Sequence, residues 1–99
     1  MLRVEYHPEA EDDLSEATEY LAVRRTGYGD GFEQAVRTAE EMIAMFPRIG
    51  RRRPGGVRRV EVHGFKYGLI YEVRRDSIFV LAVAHYSWHR GYWRHRLKT

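Results

Sequence analysis

The chain contains no cysteine among its 99 residues, which excludes disulfides and thiolate metal sites and allows a reducing cytoplasm. It has no apolar run approaching the roughly 18 residues that cross a bilayer, so no membrane association is expected. Its first residues, Met1 to Tyr6, alternate in polarity and include Glu5, unlike a secretory signal. No nucleotide fingerprint is present. The glycines between Gly50 and Gly56 follow a helical pattern and lack the Lys-Ser/Thr ending of a phosphate-binding loop. No serine occupies a nucleophile elbow, and internal repeats, low-complexity tracts and linkers are missing. The length suits one core and is too short for two, so residues 1–99 are expected to form a single domain. One further lack is local: after Asp76 no acidic residue occurs.

What is present is divided. Residues 1–46 hold 4 Lys/Arg against 11 Asp/Glu, a balance of −7, and residues 47–99 hold 13 against 3, a balance of +10. Such asymmetry suggests that one surface meets something anionic. Leu2, Val4 and Tyr6 alternate with Arg3 and Glu5 as in a half-buried strand. His7-Pro8 stops it, and proline suits the first turn of a helix. Ala10, Leu14, Ala17 and Leu21 make one apolar stripe on a helix over about residues 8–25. The acids of its first turns favour the positive end of the helix dipole and read as a solvated face. After the break at Thr26 to Asp30, Asp30 and Glu33 read as an N-cap and its capping-box partner. Phe32, Ala35, Val36, Ala39, Met42, Ile43 and Phe46 then predict a second helix, closed by Pro47. Residues 47–56 read as a loop rich in Gly, Pro and Arg.

Three strands follow: Val57 to Val62, Lys66 to Arg74, and Ile78 to Ala84. In the middle one, Tyr67, Leu69, Tyr71 and Val73 share a face. The last is apolar on both sides, with Ile78, Val80, Ala82 and Ala84 alternating with Phe79, Leu81 and Val83. Such a strand is central and covered on both faces. The helices cover one face, and the aromatic tail is the nearest cover for the other. The expected fold is α+β, in the order β-α-α-β-β-β, with an antiparallel meander and a helical hairpin on one face.

Two basic clusters carry the candidate binding residues. The first is Arg48, Arg51, Arg52, Arg53, Arg58 and Arg59; the second is Arg90, Arg94, Arg96 and Lys98, with His85, His89 and His95. Arginine forks suit phosphate or carboxylate. Tyr86, Trp88, Tyr92 and Trp93 are interleaved and could stack on bases or anchor a protein interface, while Trp93 is expected to cover the sheet. No metal site is expected: the histidines follow a strand, no acid accompanies them, and the arginines repel a cation. No cofactor is implied. A catalytic reading uses the same residues. RNA cleavage by its own 2′-OH needs proton transfer, for which His85 and Tyr86 are candidates, a histidine with a pKa of about 6.5 serving either way. It also needs positive charge on the phosphate, for which Arg58, Arg59 or Arg74 are candidates.

The residues also resemble a known family. Tyr6-His-Pro-Glu-Ala-Glu-Asp-Asp-Leu14, Phe46-Pro-Arg-Ile-Gly50, Val57-Arg-Arg-Val60, Phe65 to Val73, Val80 to His85 and Gly91-Tyr-Trp93 come in the order found in the RelE/ParE superfamily of type II toxins. The likeness is closest to the ParE-like branch, often labelled plasmid-stabilisation proteins. The resemblance implies the fold just read and a bacterial cytoplasmic toxin that arrests growth. A cognate antitoxin, wrapping the toxin with an amphipathic C-terminal segment, would neutralise it. ParE-like members inhibit DNA gyrase by binding; RelE-like members cut messenger RNA on the ribosome. The tail departs from the usual His-x-Arg-Arg-x-Pro-x-Tyr-Trp: Ser87 and Trp88 replace the two arginines and Arg90 the proline. The resemblance leaves gyrase binding as the first expectation for function. Ribosome-dependent RNA cleavage and a non-toxic member that only binds its antitoxin are the alternatives.

Overall fold

The computed structural model describes residues 1–88 and 91–98. Strand β1 (Arg3–Tyr6) leads into helix α1 (Pro8–Arg24), then helix α2 (Tyr28–Met45). Strands β2 (Arg51–Arg53), β3 (Val57–Glu61), β4 (Tyr67–Val73) and β5 (Ser77–His85) follow, and a 3-10 helix (Arg94–Lys98) closes the tail. The five strands form one sheet in the order β1-β5-β4-β3-β2. β1 runs parallel to β5, and the remaining pairs are antiparallel. The α+β fold is therefore as expected, with one addition. The arginine loop contains β2, whose three arginines show no alternation from which a strand could be read.

Helix α1 starts on a histidine. The ring Nδ1 of His7 accepts from the Glu9 N–H at 3.0 Å, filling the role usually taken by Ser or Asp. The start of α2 differs from expectation. The helix begins at Tyr28, its cap is Gly27 at φ +80°, and no side chain caps it. Asp30 lies inside the first turn, where it meets the helix dipole without capping. The helices approach closely at Gly29, where a Cβ would stand 2.9 Å from that of Ala22.

Both helical stripes pack on one face of the sheet. Ala10, Ala17, Leu21, Phe32, Val36, Ala39 and Ile43 bury against Tyr67, Leu69, Tyr71, Ile78, Val80 and Val83. Phe32 is fully buried, with ring centroids 5.1 Å from Phe65 and 5.0 Å from Tyr67. The opposite face holds a smaller core: Val57, Ile70, Leu81, Ala82 and Ala84 under Trp93, flanked by Phe79, Tyr92 and Leu97. Trp93 covers the sheet as expected.

The expected alternation along β5 fails at one point. Tyr71 pairs with Val80 but Ile70 pairs with Ala82, so Leu81 is an extra residue in a bulge. Beyond it the parity reverses. Ala82 and Ala84 join the tail-side core, and Val83 joins Ile78 and Val80 on the helix side. An apolar run carries no mark of such a slip, because both faces look alike.

Candidate functional site

The bulge lies where β1 runs out. The last backbone bond on that edge is from His7 N–H to the Val80 carbonyl, at 2.9 Å. The next polar groups of β5 are met by side chains. Asp13 Oδ2 accepts from the Val83 N–H at 3.1 Å, and Arg96 Nη1 donates to the Leu81 carbonyl at 2.8 Å. Asp13 and Arg96 also bind each other at 2.7 Å, and the Tyr92 hydroxyl donates to Asp13 at 3.1 Å. Both charged residues are buried. An ion pair thus continues the hydrogen bonding of the sheet edge and fastens the tail to α1. His95 and Glu9 add an exposed contact at 3.0 Å beside it. The acids of α1 are therefore not all a solvated face, and Arg96 and Tyr92 hold the tail to α1. The Tyr92 hydroxyl is raised well above the ordinary tyrosine range, chiefly by burial and then by the Asp13 charge.

This latch forms one flank of a cleft of about 500 Å³ on the tail side of the sheet. Ile70 and Ala84 line its base, Arg53, Arg59 and Arg94 supply positive charge, and Tyr86, Trp88, Tyr92 and Trp93 supply aromatic surface. Among the described residues Glu61 is the one carboxylate lining it. Arg59 is closely held, with only 10% of its side chain exposed. Its Nε binds Glu61 at 3.0 Å, and its guanidinium lies 5.0 Å from the Tyr86 ring centre. It fits because residue 68 is glycine: a Cβ there would lie 2.5 Å from Arg59 Nε.

The proton-transfer candidates sit at this cleft, but both are engaged. His85 Nδ1 accepts from the Ser87 N–H at 3.0 Å and lies 2.8 Å from the Ser87 hydroxyl. In a neutral imidazole the acceptor nitrogen is the base, and here a backbone donor holds it. Tyr86 donates to Glu61 at 2.7 Å. That hydrogen bond, before any burial, raises its pKa above the ordinary tyrosine range. A phenol made harder to ionise supplies less phenolate to accept a proton, and this one has its proton committed to Glu61.

The predicted basic residues divide among several places. Arg53, Arg59 and Arg94 meet at the cleft. Arg51 pairs with Arg59 across the strands and so lies on the same face, exposed at the sheet edge. Arg52 and Arg58, one residue out of step, belong to the other face. Arg58 there ties down the preceding loop through the carbonyls of Arg48 and Gly50, at 3.1 and 2.9 Å. Arg74 lies at the far end of β4, paired with Glu72 at 2.9 Å and 3.9 Å over the Phe79 ring, so it takes no part in the cleft. Trp88 borders the cleft, edge-on to Tyr92 at 5.4 Å. His89 and Arg90 lie outside the described residues, as does the side chain of Lys98. Among the described residues no group of three or more His, Cys, Asp and Glu is placed to hold a metal.

Asp13 was missed by the sequence reading, though a signal existed. It stands three residues after Ala10 and four before Ala17, on the apolar stripe itself. A carboxylate on that stripe asks for a buried partner.

A family model described as ParE toxin of type II toxin-antitoxin system, parDE, matches residues 4–87. Among solved structures, a chain described as Chromosomal ParDE TA system from P. aeruginosa superposes with a TM-score of 0.62 at 18% identity. The match covers 86% of this chain and 96% of that one. At that identity the likeness speaks for the fold. None of the curated protein sequences matches the chain. No helix among the described residues is long and apolar enough to cross a membrane.

Proposed function

The chain belongs to the ParE toxin family of type II toxin–antitoxin systems, and on that premise we propose that it arrests growth by binding DNA gyrase and is neutralised by a cognate antitoxin. The observation that carries the choice of binding over catalysis is the state of His85 and Tyr86. One has its basic nitrogen held by a backbone N–H, and the other has its proton committed to Glu61. Ribosome-dependent RNA cleavage, the alternative, needs groups free to take and give protons. Among the described residues the cleft offers what a binding surface needs: three arginines, four aromatic rings and one carboxylate. Arginine and large aromatics dominate binding energy at protein interfaces. The antitoxin reading is supported by the family model and by the split of −7 and +10 between the halves of the chain, which suits a partner with acidic segments. The cytoplasm is where gyrase would be met.

The test pairs two assays on the purified chain: DNA supercoiling by gyrase, and cleavage of messenger RNA under translation. Lost supercoiling with intact message supports the proposal. Cut message with normal supercoiling establishes the alternative. A chain without effect on either, harmless at high expression, is a family member that serves only its antitoxin. Arg94→Ala, at an exposed cleft position, is expected to weaken gyrase inhibition about tenfold, matching loss of one interface anchor. Its melting temperature should stay unchanged.

A further inference from the structure

A second surface lies at the C-terminal end of α2, on the helix side of the sheet. Met42, Met45, Phe46 and Ile49 follow one another at helical spacing, and each is between 40% and 57% exposed. The Phe46 and Ile49 N–H groups keep the turn going past the helix, bonding to the Met42 and Phe46 carbonyls at 2.8 and 3.0 Å. We propose that this apolar stripe, with the arginines beside it, docks an acidic polypeptide segment that carries apolar residues of its own.

The fold turns the stripe toward the arginines. The Tyr6 hydroxyl donates to Glu40, so that side of α2 faces β1. At about 100° per residue, Met42 stands nearly opposite Glu40 and so looks toward the other edge of the sheet, where β2 lies. Val60 pairs there with Leu69 and Arg58 with Tyr71, both members of the helix-side core, and Arg52 pairs with Arg58. Arg52 and Arg58 therefore share the helix side with the stripe. Arg58 holds the connection between them, donating to the Arg48 and Gly50 carbonyls.

The charge at this end is of one sign. Between Glu41 and Glu61 the chain carries six arginines and no acid. Arg48 and Arg52 are exposed, and neither guanidinium has a carboxylate partner among the described residues. Carboxylates suit those forks, and apolar side chains between them would take the stripe out of water. Other occupants meet only part of this chemistry. A second copy docked by the same surface would bring arginines against arginines. A nucleic acid would leave the methionines and Phe46 uncovered. An anionic bilayer is broad and would also meet the helices, whose stretch over residues 8–41 holds ten acids against three arginines. A narrow peptide segment stays on the basic end. The surface lies outside the cleft, and the inference does not depend on the toxin's target.

The purified chain is titrated with the capped peptide Asp-Leu-Glu-Glu-Phe-Leu-Asp amide and with its counterpart bearing Asn and Gln for the acids, following side-chain signals by NMR. Saturable shifts of Met42, Met45, Phe46 and Ile49 with the acidic peptide, about tenfold weaker with the neutral one, support the site. Arg52→Glu and Ile49→Ser, both at exposed positions, should each weaken the acidic peptide about tenfold with the melting temperature unchanged. Equal binding of the neutral peptide, shifts that never saturate, shifts confined to Tyr86, Trp88 and Trp93, or indifference to both variants would overturn the proposal. Tighter binding of phosphatidylglycerol vesicles or of a DNA duplex to the same residues would overturn the assignment to a polypeptide. A chain that inhibits no gyrase yet passes these tests would refute the proposed function and leave this surface standing.

Discussion

The helix side of β5 is covered by residues that α1 and α2 present at regular spacing, whereas the tail side is covered by Trp93 and its neighbours, held in place by one buried ion pair. The first cover is broad and made of many small contributions. The second is narrow and depends on charges 83 residues apart in the chain. Removing a piece of the first lowers stability in proportion to what is lost, while removing a piece of the second leaves its partner stranded.

The comparison can be broken most forcefully from the helix side. Phe32→Ala opens a cavity among Phe65, Tyr67 and their neighbours and should cost about 4 kcal/mol, read by denaturant unfolding. The loss should be global, with every probe reporting one transition. Asp13→Ala comes next, at about 3 kcal/mol, because Arg96 keeps its charge in a buried site and the Val83 N–H loses its acceptor. Here hydrogen exchange should rise first in residues 91–97 and along the outer part of β5, ahead of the helical core. If exchange rises evenly instead, the two covers are one cooperative unit. Replacing both members, Asp13→Leu with Arg96→Met, should recover only part of the loss: neither charge is then stranded, but the Val83 N–H and the Leu81 carbonyl still lack their partners.

The helix side was legible in the sequence and the tail side only in part, its Trp93 cover being expected but not the ion pair that holds it, for a physical reason. Periodicity reports which residues share a face, so the α2 stripe and the Tyr67 to Val73 alternation translated directly into the core. The bulge at Leu81 changes face without changing composition, so nothing in Ile78 to Ala84 announces it. Asp13 stood among Glu9, Glu11 and Asp12, where one buried acid looks like its exposed neighbours unless its place on the stripe is weighed. Arg96 resembled the other tail arginines for the same reason. The site was half legible. Composition found a basic and aromatic surface, but only the strand register separates Arg59 from Arg58, or leaves Arg74 remote from the cleft.

Two smaller effects sharpen the comparison. Tyr92→Phe removes one hydroxyl from Asp13 while keeping the ring, and should cost about 1 kcal/mol. Its effect should vanish in the Asp13→Ala background, as a double-mutant cycle would show. Acid gives the smallest effect. The hydrogen bond from His95 holds the Glu9 carboxyl below its ordinary range. A carboxyl depressed by folding contributes stability above its unfolded value and loses it as pH falls through its folded value. Lowering the pH below the ordinary glutamate range should therefore loosen the tail slightly, seen as faster exchange near residue 95. His95→Ala should remove that increment and leave the chain less sensitive to acid in this window.

The parallel pairing of β1 with β5 sets an order of events during synthesis. Among the described residues β1 has β5 as its one neighbour in the sheet, although β2, β3 and β4 are made between them, and the ion pair beside it joins residue 13 to residue 96. While the chain is being made, α1 and α2 can pair as a hairpin, but the sheet has no centre until β5 emerges. The tail that walls the cleft arrives later still. The surface proposed to act on a target therefore comes into existence only once residue 96 has been made and can reach Asp13, and a polypeptide cut short before Arg96 would lack the ion pair that holds the wall of the cleft in place.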